Sequence, residues 1–369
     1  MERSARTRTR DRYDAVIAGA GVIGLACAWR ASQRGASVLV LDRARPGSGA
    51  TAVAGGMLAP VGEADFGAEM LLDLGLESAR MYPAFVAELE RVSGVAVGLR
   101  TEGALHVALD RDEGEALRRL ADLHRARGLQ SEWLGPSAAR ELEPGLAPSL
   151  HGGFFAPADA SVDPRQVSRA LLAALDEAGV EVRTALIERA LVSGDRLEGL
   201  VVDGDEVRAG SVVLACGAWS GQVGWLPPEA RPPVRPVKGQ VVELAGSPED
   251  PVCSRTLGSE RVYLVPREDG RVIVGATVEE RGFETTVTAG GVLELLREAY
   301  RLLPDVGELE LVGAVAGFRP ATPDNLPLIG PGALQGLLLA TGHYRNGILL
   351  APLTAERVAG MLDGAPVAA

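Results

Sequence analysis

The apolar and polar positions near the N-terminus form blocks that predict a strand, a helix and a second strand. Residues 14–18 are an apolar run of strand length, residues 22–34 have a helical pattern, and residues 37–41 are a second apolar run that ends at Asp42. Short apolar runs on either side of a helix are typical of strands buried in a parallel sheet. The block therefore predicts a βαβ unit.

Three glycines occupy the turn between the first strand and the helix. Gly19, Gly21 and Gly24 have the G-x-G-x-x-G spacing. The first permits a tight turn, the second lets a pyrophosphate approach the backbone, and the third lets the helix lie against the strand. Asp42 lies where a carboxylate that hydrogen-bonds an adenosine ribose is expected. The unit predicts a dinucleotide site without distinguishing FAD from NAD, and a βαβ unit that binds nothing is the alternative.

The rest of the chain predicts two kinds of sheet. Helical patterns lie at 69–92, 110–127, 137–142, 164–177, 292–303 and 347–362, and strand-like runs at 103–109, 151–155, 180–202, 211–215, 239–244, 261–265, 271–275 and 337–340. Asp163 and Pro164 have the composition of a helix N-cap and first position. The run at 211–215 is continuously apolar and fits the parallel sheet, whereas the runs after Val234 alternate or pair as hairpins.

These patterns predict an α/β fold in which an antiparallel-sheet (α+β) domain is inserted into a Rossmann-like parallel-sheet domain. We expect a disordered arm at residues 1–12. The nucleotide-binding domain is expected at residues 13–80, 145–230 and 320–366, and the substrate-binding domain at 81–144 and 231–319. A chain of 369 residues is long enough for two such domains.

Composition narrows the possible functions. The net charge is −12, which argues against wholesale binding of nucleic acid. No apolar run reaches membrane-spanning length, and no apolar segment lies between the Arg-rich start and the first strand, so a membrane protein or a secretory signal is not expected. A cytoplasmic location is the resulting prediction. Lys238 is the only lysine, so an arginine in this chain is not functional merely by being arginine.

Cysteine and histidine do not indicate a metal site. Cys27, Cys216 and Cys253 are far apart, and two of them lie in apolar runs, so we expect reduced thiols. The four histidines are also far apart.

The segment at 47–60 is made of small residues and is nearly uncharged. It is either a buried connection or, as we favour from its position after Asp42, a segment packed along a cofactor.

Several short motifs then occur in one order along the chain. They are GGMLAP at 55–60, ACGAWS at 215–220, YLVPR at 263–267, GAT at 275–277, FRP at 318–320 and HYRNGILLAP at 343–352. With the glycine turn, this combination resembles the D-amino-acid oxidase superfamily of FAD-dependent amine oxidases, and within it the glycine oxidases of thiamine biosynthesis. The resemblance covers residues 13–364. It implies that the parallel-sheet domain binds FAD.

The resemblance also implies which residues bind the cofactor. They are Gly19, Gly21, Val22, Ile23, Gly24, Asp42, Arg43, Ala50, Thr51, Gly55, Gly56, Met57, Leu186, Gly217, His343, Tyr344, Arg345, Asn346, Gly347, Ile348 and Leu349. Leu186 is expected to offer backbone groups near the adenine, and residues 343–349 to surround the flavin. The superfamily commonly has Glu at the position of Asp42, and either acid accepts a hydrogen bond from a ribose hydroxyl. Because no cysteine follows Cys253, whereas relatives with covalent flavin attach it through a cysteine nearer the C-terminus, we expect non-covalent FAD.

Arg319, Arg345 and Tyr263 are the candidate substrate-binding residues. Arg319 follows an apolar strand at 311–316 that we expect to be buried, and a guanidinium there suits a substrate carboxylate. The alternatives are a surface arginine for Arg319, a core tyrosine for Tyr263, and contact with the flavin or only with backbone carbonyls for Arg345. His343 is assigned to the cofactor and not to a base, since hydride transfer needs only a neutral substrate amine. The start of the last helix is expected to point at the flavin.

The predicted function is the FAD-dependent oxidation of glycine or another small amino acid, serving thiamine (thiazole) biosynthesis. The chain lacks a second glycine fingerprint for NAD, so molecular oxygen is the expected acceptor and hydrogen peroxide the product; a quinone or a carrier protein is left open. A D-amino-acid or sarcosine oxidase or dehydrogenase is the nearest alternative. A non-catalytic flavin-binding subunit is the alternative from another class, and a homo-oligomer is left open. The glycine-rich segments at 55–57 and 275–277 predict a small substrate pocket approached closely by backbone.

Overall fold

The computed structural model describes residues 12–364. Its strands are β1 Arg12–Ala18, β2 Val38–Asp42, β3 Met57–Leu58, β4 Ala104–Val107, β5 Glu132–Leu134, β6 Gly153–Ala156, β7 Ala160–Ser161, β8 Glu181–Thr184, β9 Ile187–Ser193, β10 Arg196–Val202, β11 Asp205–Leu214, β12 Arg235–Ala245, β13 Thr256–Gly258, β14 Tyr263–Pro266, β15 Arg271–Gly275, β16 Glu310–Ala321, β17 Leu328–Pro331 and β18 Leu337–Thr341. Its α-helices are α1 Val22–Gln33, α2 Ala50–Val53, α3 Glu69–Ser93, α4 Arg111–Ala126, α5 Pro136–Leu142, α6 Pro164–Glu177, α7 Ala289–Leu302 and α8 Ala351–Leu362.

The first sheet has the order β17-β18-β11-β1-β2-β8, and β10 and β9 continue from β11. β1 pairs in parallel with β2 and β11, and β18 and β8 extend the parallel arrangement on either side. Alternate side chains of the parallel strands enter two separate cores: Ile17 and Val40 pack with helices α1, α6 and α8, whereas Val16 and Leu39 pack on the opposite face. A sheet that is buried on both faces explains the continuous apolar runs in the sequence.

The second sheet has the order β16-β12-β15-β14-β13-β4-β6-β5 and is mostly antiparallel. One face packs against α7 through Leu295, Ala299 and Leu302. The other face carries Val241 and a neighbouring apolar group that pack toward α2 and β3 of the nucleotide-binding unit. The predicted fold class, a parallel sheet with an inserted antiparallel sheet, is confirmed.

The expected domain boundaries do not coincide with the secondary structure. Helix α3 runs unbroken through residue 81, and Phe85 in its second half packs edge-on against Trp29 of α1, with ring centroids 5.5 Å apart. Strand β6, assigned to the first domain, pairs with β4 and β5 in the second sheet. We therefore propose that α3 belongs to the nucleotide-binding unit and β6 to the substrate-binding unit. The predicted arm lies outside the described residues, apart from Arg12, which begins β1.

Two expectations about local structure are wrong. The last helix begins at Ala351 and not at residue 347, because the intervening residues form turns and Pro352 occupies the first turn of the helix. The apolar strand before Arg319 is not buried: Leu311, Val312 and Val315 are 55%, 53% and 41% exposed. β16 pairs only with β12 and forms the edge of its sheet, so its other edge lacks a neighbour among the described strands.

Among the described residues, no helix is long and apolar enough to cross a membrane.

Candidate active site

The three glycines of the first turn have different physical roles. Gly19 has φ +113°, and a Cβ there would lie 2.3 Å from the carbonyl oxygen of Ala215. A Cβ on Gly24 would lie 1.9 Å from the carbonyl oxygen of Gly19. A Cβ on Gly21 would meet only the Thr51 hydroxyl, at 3.5 Å. Gly19 and Gly24 are therefore needed for close packing, and Gly21 alone keeps a surface open for a ligand.

Asp42 and Thr51 hold the turn in place. The two carboxylate oxygens of Asp42 accept hydrogen bonds from the N–H groups of Ala20 at 2.8 Å and Ala44 at 2.9 Å. The Thr51 hydroxyl accepts from the N–H of Val22 at 3.1 Å. Each carboxylate oxygen has capacity for a further donor, such as a ribose hydroxyl. Asp42 can thus order the turn and bind a nucleotide at the same time.

A cavity of about 500 Å³ begins at this turn and crosses the carboxyl ends of β1, β2, β11 and β18 before reaching β16. The predicted cofactor residues that line it are Gly19, Gly21, Val22, Ile23, Asp42, Arg43, Ala50, Thr51, Gly55, Gly56, Met57, Leu186, Gly217, His343, Tyr344, Arg345, Asn346, Gly347 and Ile348. Gly24 and Leu349 do not line it. Leu349 is buried in the apolar core beside α3, where its carbonyl accepts from the hydroxyl of Ser78.

The backbone of Leu186 differs from the expected arrangement. Leu186 lines the cavity, but its N–H donates to the Asp203 carboxylate at 3.1 Å, and its carbonyl accepts from the N–H of Asp203 at 3.2 Å. The N–H is therefore not free to bind an adenine. The Leu186 side chain is 58% exposed at this end of the cavity.

The segment between β18 and α8 closes the other end of the cavity. His343 is buried, and its Nε2 lies 2.9 Å from the Thr354 hydroxyl. Burial lowers the pKa of His343 to about 3, so the imidazole is neutral at any ordinary assay pH. The N–H of Tyr344 donates to the carbonyl of Pro320 at 2.9 Å, which ties this segment to the residue after Arg319.

Arg319 lies on the face of β16 that borders the cavity. Its Nη1 donates to the carbonyls of Thr277 at 3.0 Å and Lys238 at 3.3 Å, and within residues 12–364 no carboxylate forms a salt bridge with it. Burial lowers the pKa of its guanidinium. The side chain is half-buried, so removing its charge from part of the solvent without an anionic partner costs free energy, and a ligand carboxylate would relieve that cost.

Tyr263 is held between two glycines. A Cβ on Gly55 would lie 2.8 Å from the tyrosine ring, and a Cβ on Gly275 would lie 2.3 Å from its hydroxyl. Besides the predicted approach of their backbone to a ligand, which stays a prediction, these glycines make room for the tyrosine. Tyr263 lines the cavity, and burial raises the pKa of its hydroxyl, which therefore stays protonated and able to donate a hydrogen bond.

A second cavity of about 520 Å³ adjoins the first and is lined by residues of β13, Tyr263 and the segment at 275–279. The two share Met57, Glu63, Tyr263 and Arg345, and Arg345 is exposed where they meet. Glu63 was missed by sequence reasoning. The available signal was its position as the first acidic residue after the uncharged segment at 47–60.

Comparison with known proteins agrees with this geometry. The family model described as "FAD dependent oxidoreductase" (DAO) matches residues 14–361. The chain belongs to the DAO family of FAD-dependent oxidoreductases. It is an enzyme, and FAD is its cofactor.

Proteins similar to this chain include a glycine oxidase and a bifunctional protein ThiO/ThiG. A glycine oxidase of Geobacillus kaustophilus is 35% identical over 362 residues, which cover 95% of this chain and 93% of the relative. Its crystal structure superimposes with a TM-score of 0.90 at 34% identity, covering 97% and 96% of the two chains. The bifunctional protein ThiO/ThiG of Trichormus variabilis is 37% identical over 354 residues. This DAO-family chain is matched over 95% of its length but spans about half, 52%, of that relative.

The residues present fit FAD. The open surface at Gly21 lies at the N-terminus of α1, where a pyrophosphate is stabilised by backbone N–H groups and the helix dipole. A Cβ on Gly217 would meet no atom within 4 Å, so the cavity wall is also open there. The hydrogen bonds among the described residues use the N–H groups of Asn346 and Leu350 but leave those of Gly347 and Ile348, which line the cavity, available to a flavin.

We expect FAD to be released when the DAO-family chain is denatured. Cys216 lines the cavity, but its thiol donates to the carbonyl of Ala18 at 3.3 Å, and burial raises its pKa to about 12. A thiol that stays protonated is a poor nucleophile for a covalent flavin link. Acid precipitation should therefore leave the yellow colour in the supernatant. Colour retained in the washed pellet would contradict non-covalent binding.

Proposed function

We propose that this enzyme oxidises the amine carbon of glycine or a similarly small amino acid. One amino acid, one O₂ and one water would give the 2-oxo acid, ammonia and hydrogen peroxide. The observation that carries the proposal is the Arg319 guanidinium, which is half-buried beside the cofactor cavity without a carboxylate partner in the described chain. A substrate carboxylate completes its set of hydrogen bonds.

The substrate-binding residues have distinct tasks in this proposal. The hydride acceptor would be supplied by FAD when that cofactor is bound. Arg319 holds the carboxylate and so fixes which carbon faces the cofactor, and the Tyr263 hydroxyl donates a second hydrogen bond to it. Arg345, exposed at the junction of the two cavities, attracts the substrate carboxylate into the site.

Proton transfer does not require a histidine. His343 is bonded to Thr354 and neutral, because burial lowers its pKa to about 3. It therefore supports the wall of the cavity between β18 and α8 and is not a base for the substrate. The substrate amine must lose its proton before hydride transfer, which favours turnover at alkaline pH.

The names of several relatives support the proposal that the substrate is small. Proteins named glycine oxidase are 31–35% identical to this chain over most of their length. A solved iminodiacetate oxidase of Chelativorans is 29% identical with a TM-score of 0.84, and hydrogen cyanide synthase subunit HcnC of Pseudomonas aeruginosa is 30% identical. The bifunctional ThiO/ThiG relatives support the further proposal that the product serves thiamine (thiazole) biosynthesis.

A substrate panel with peroxide detection tests the proposal. We expect kcat/KM to be higher for glycine and sarcosine than for D-phenylalanine, because Tyr263 fills the space that Gly55 and Gly275 leave beside the cavity. Peroxide release with glycine contradicts the non-catalytic alternative. A higher kcat/KM for D-phenylalanine would favour a general D-amino-acid oxidase.

A further inference from the structure

Lys238 is an unusual residue in this chain. The chain has 37 lysines and arginines, and Lys238 is the only lysine. It lies in β12, and only 1% of its surface is exposed. A fully buried ammonium is costly unless it is paired and hydrogen-bonded, so its position requires an explanation.

The Lys238 ammonium joins a polar network on one face of β12. Its Nζ donates to the carbonyl of Thr286 at 2.6 Å and lies 3.3 Å from the Glu279 carboxylate. The same carboxylate accepts from the Gln240 amide at 2.7 Å and from the Thr277 hydroxyl at 2.6 Å. The network therefore connects β12 to the segment at 277–286.

The backbone beside this network is paired as well. The N–H of Lys238 donates to the carbonyl of Glu279 at 3.0 Å, and the N–H of Glu279 donates to the carbonyl of Lys238 at 2.9 Å. The N–H of Thr277 donates to the carbonyl of Gln240 at 3.2 Å. The carbonyls of Lys238 and Thr277 are consequently held at a fixed separation.

Those two carbonyls are the acceptors of Arg319. Side chains alternate along a strand, so Lys238 and Gln240 lie on one face of β12 and Gly239 on the other. A Cβ on Gly239 would lie 2.4 Å from Nη1 of Arg319 and 2.7 Å from its Cζ. The guanidinium therefore lies on the bare backbone of Gly239, with the Lys238 network on the opposite side.

We propose that Lys238 is a positioning residue for Arg319. The ammonium fixes the segment at 277–286 against β12, and this fixes the two carbonyls that orient the guanidinium toward the substrate carboxylate. A compact ammonium suits the space between a carbonyl and a carboxylate, whereas a guanidinium is broader and planar. The inference rests on the proposed role of Arg319 and adds the device that orients it.

The test measures binding of acetate, a carboxylate without an amine, to the FAD-loaded enzyme by calorimetry, together with kcat and KM for glycine. Lys238→Met keeps much of the side-chain stem and removes the charge. We expect it to raise the acetate Kd and the glycine KM by roughly three- to thirtyfold, with kcat and FAD content little changed. Lys238→Arg should show the same weakening, because charge alone does not restore the geometry.

A matched control is present on the same two segments. Arg235 of β12 and Glu280 form an exposed ion pair, with side chains 54% and 66% exposed. Arg235→Met should leave the acetate Kd unchanged, because exposed pairs contribute little. If Lys238→Met does not fold, Glu279→Gln replaces it, since this change removes the charge partner of Lys238 with little change in shape. An unchanged acetate Kd in the folded variant would overturn the proposal.

A double-mutant cycle separates positioning from a general structural role. If Lys238 acts through Arg319, adding Lys238→Met to Arg319→Ala should weaken acetate binding no further. An equal loss in both backgrounds would overturn the positioning role. Arg319→Ala with an unchanged acetate Kd would instead overturn the carboxylate site of the proposed function. Gly239→Ala should weaken acetate binding in the wild-type background only, because its Cβ displaces the Arg319 guanidinium.

Discussion

Replacing Arg319 with alanine should raise the KM for glycine by about ten- to a few hundred-fold, because a charge-assisted hydrogen bond contributes roughly 1.5–3 kcal/mol. FAD should remain bound, since Arg319 donates to backbone carbonyls and lines the end of the cavity opposite to the glycine turn at 19–24. Steady-state kinetics with peroxide detection, together with the flavin absorbance of the purified variant, measure both effects.

Two comparisons make the Arg319 experiment specific. Arg319→Lys keeps the charge but loses the bidentate geometry, so its KM for glycine should be raised as well. Simple amines without a carboxylate should be poor substrates of the wild type and nearly indifferent to the substitution. A folded, FAD-containing Arg319→Ala variant with an unchanged KM for glycine would make Arg319 structural, and Arg345 would become the first candidate for the carboxylate partner.

Alanine at Gly24 should abolish FAD binding, whereas alanine at Gly21 should weaken it in a folded protein. The Gly24 Cβ would lie 1.9 Å from the carbonyl oxygen of Gly19, so α1 cannot keep its place against β1. Overpacking of this kind typically costs about 1–3 kcal/mol or more. The Gly21 Cβ meets only the Thr51 hydroxyl, at 3.5 Å, and would instead occupy the surface left open for the pyrophosphate.

Flavin content and thermal unfolding distinguish the two substitutions. Gly24→Ala should give little soluble protein and no bound flavin. Gly21→Ala should unfold as the wild-type apoprotein does, with an FAD Kd raised by roughly tenfold or more. Normal flavin content in Gly24→Ala would show that the helix can shift without loss of the site.

The parts predicted from sequence are those that short-range patterns determine. The βαβ unit occupies Arg12–Ala18, Val22–Gln33 and Val38–Asp42, close to the predicted bounds. The Asp163 cap is also present, since its carboxylate accepts from the N–H of Arg165 at 2.8 Å. In both cases neighbouring residues specify the conformation.

The parts that were wrong depend on partners distant in sequence. An apolar run such as 311–316 is equally compatible with a central and an edge strand, and only the pairing of β16 with β12 alone decides that it is exposed. A contact that the sequence does not reveal is the one between Gly55 and Tyr263, because Gly55 meets a ring more than 200 residues away along the chain. Sequence spacing cannot show which side chain a glycine accommodates.

The burial of Lys238 has a consequence for chemical labelling. Because it is the only lysine and is 1% exposed, the native fold presents no lysine amine to acylating reagents. Acylation of Lys238 requires the segment at 277–286 to separate from β12, which exposes the ammonium to solvent. The labelling rate of this one lysine amine thus reports how often the segment at 277–286 separates from β12 beside Arg319.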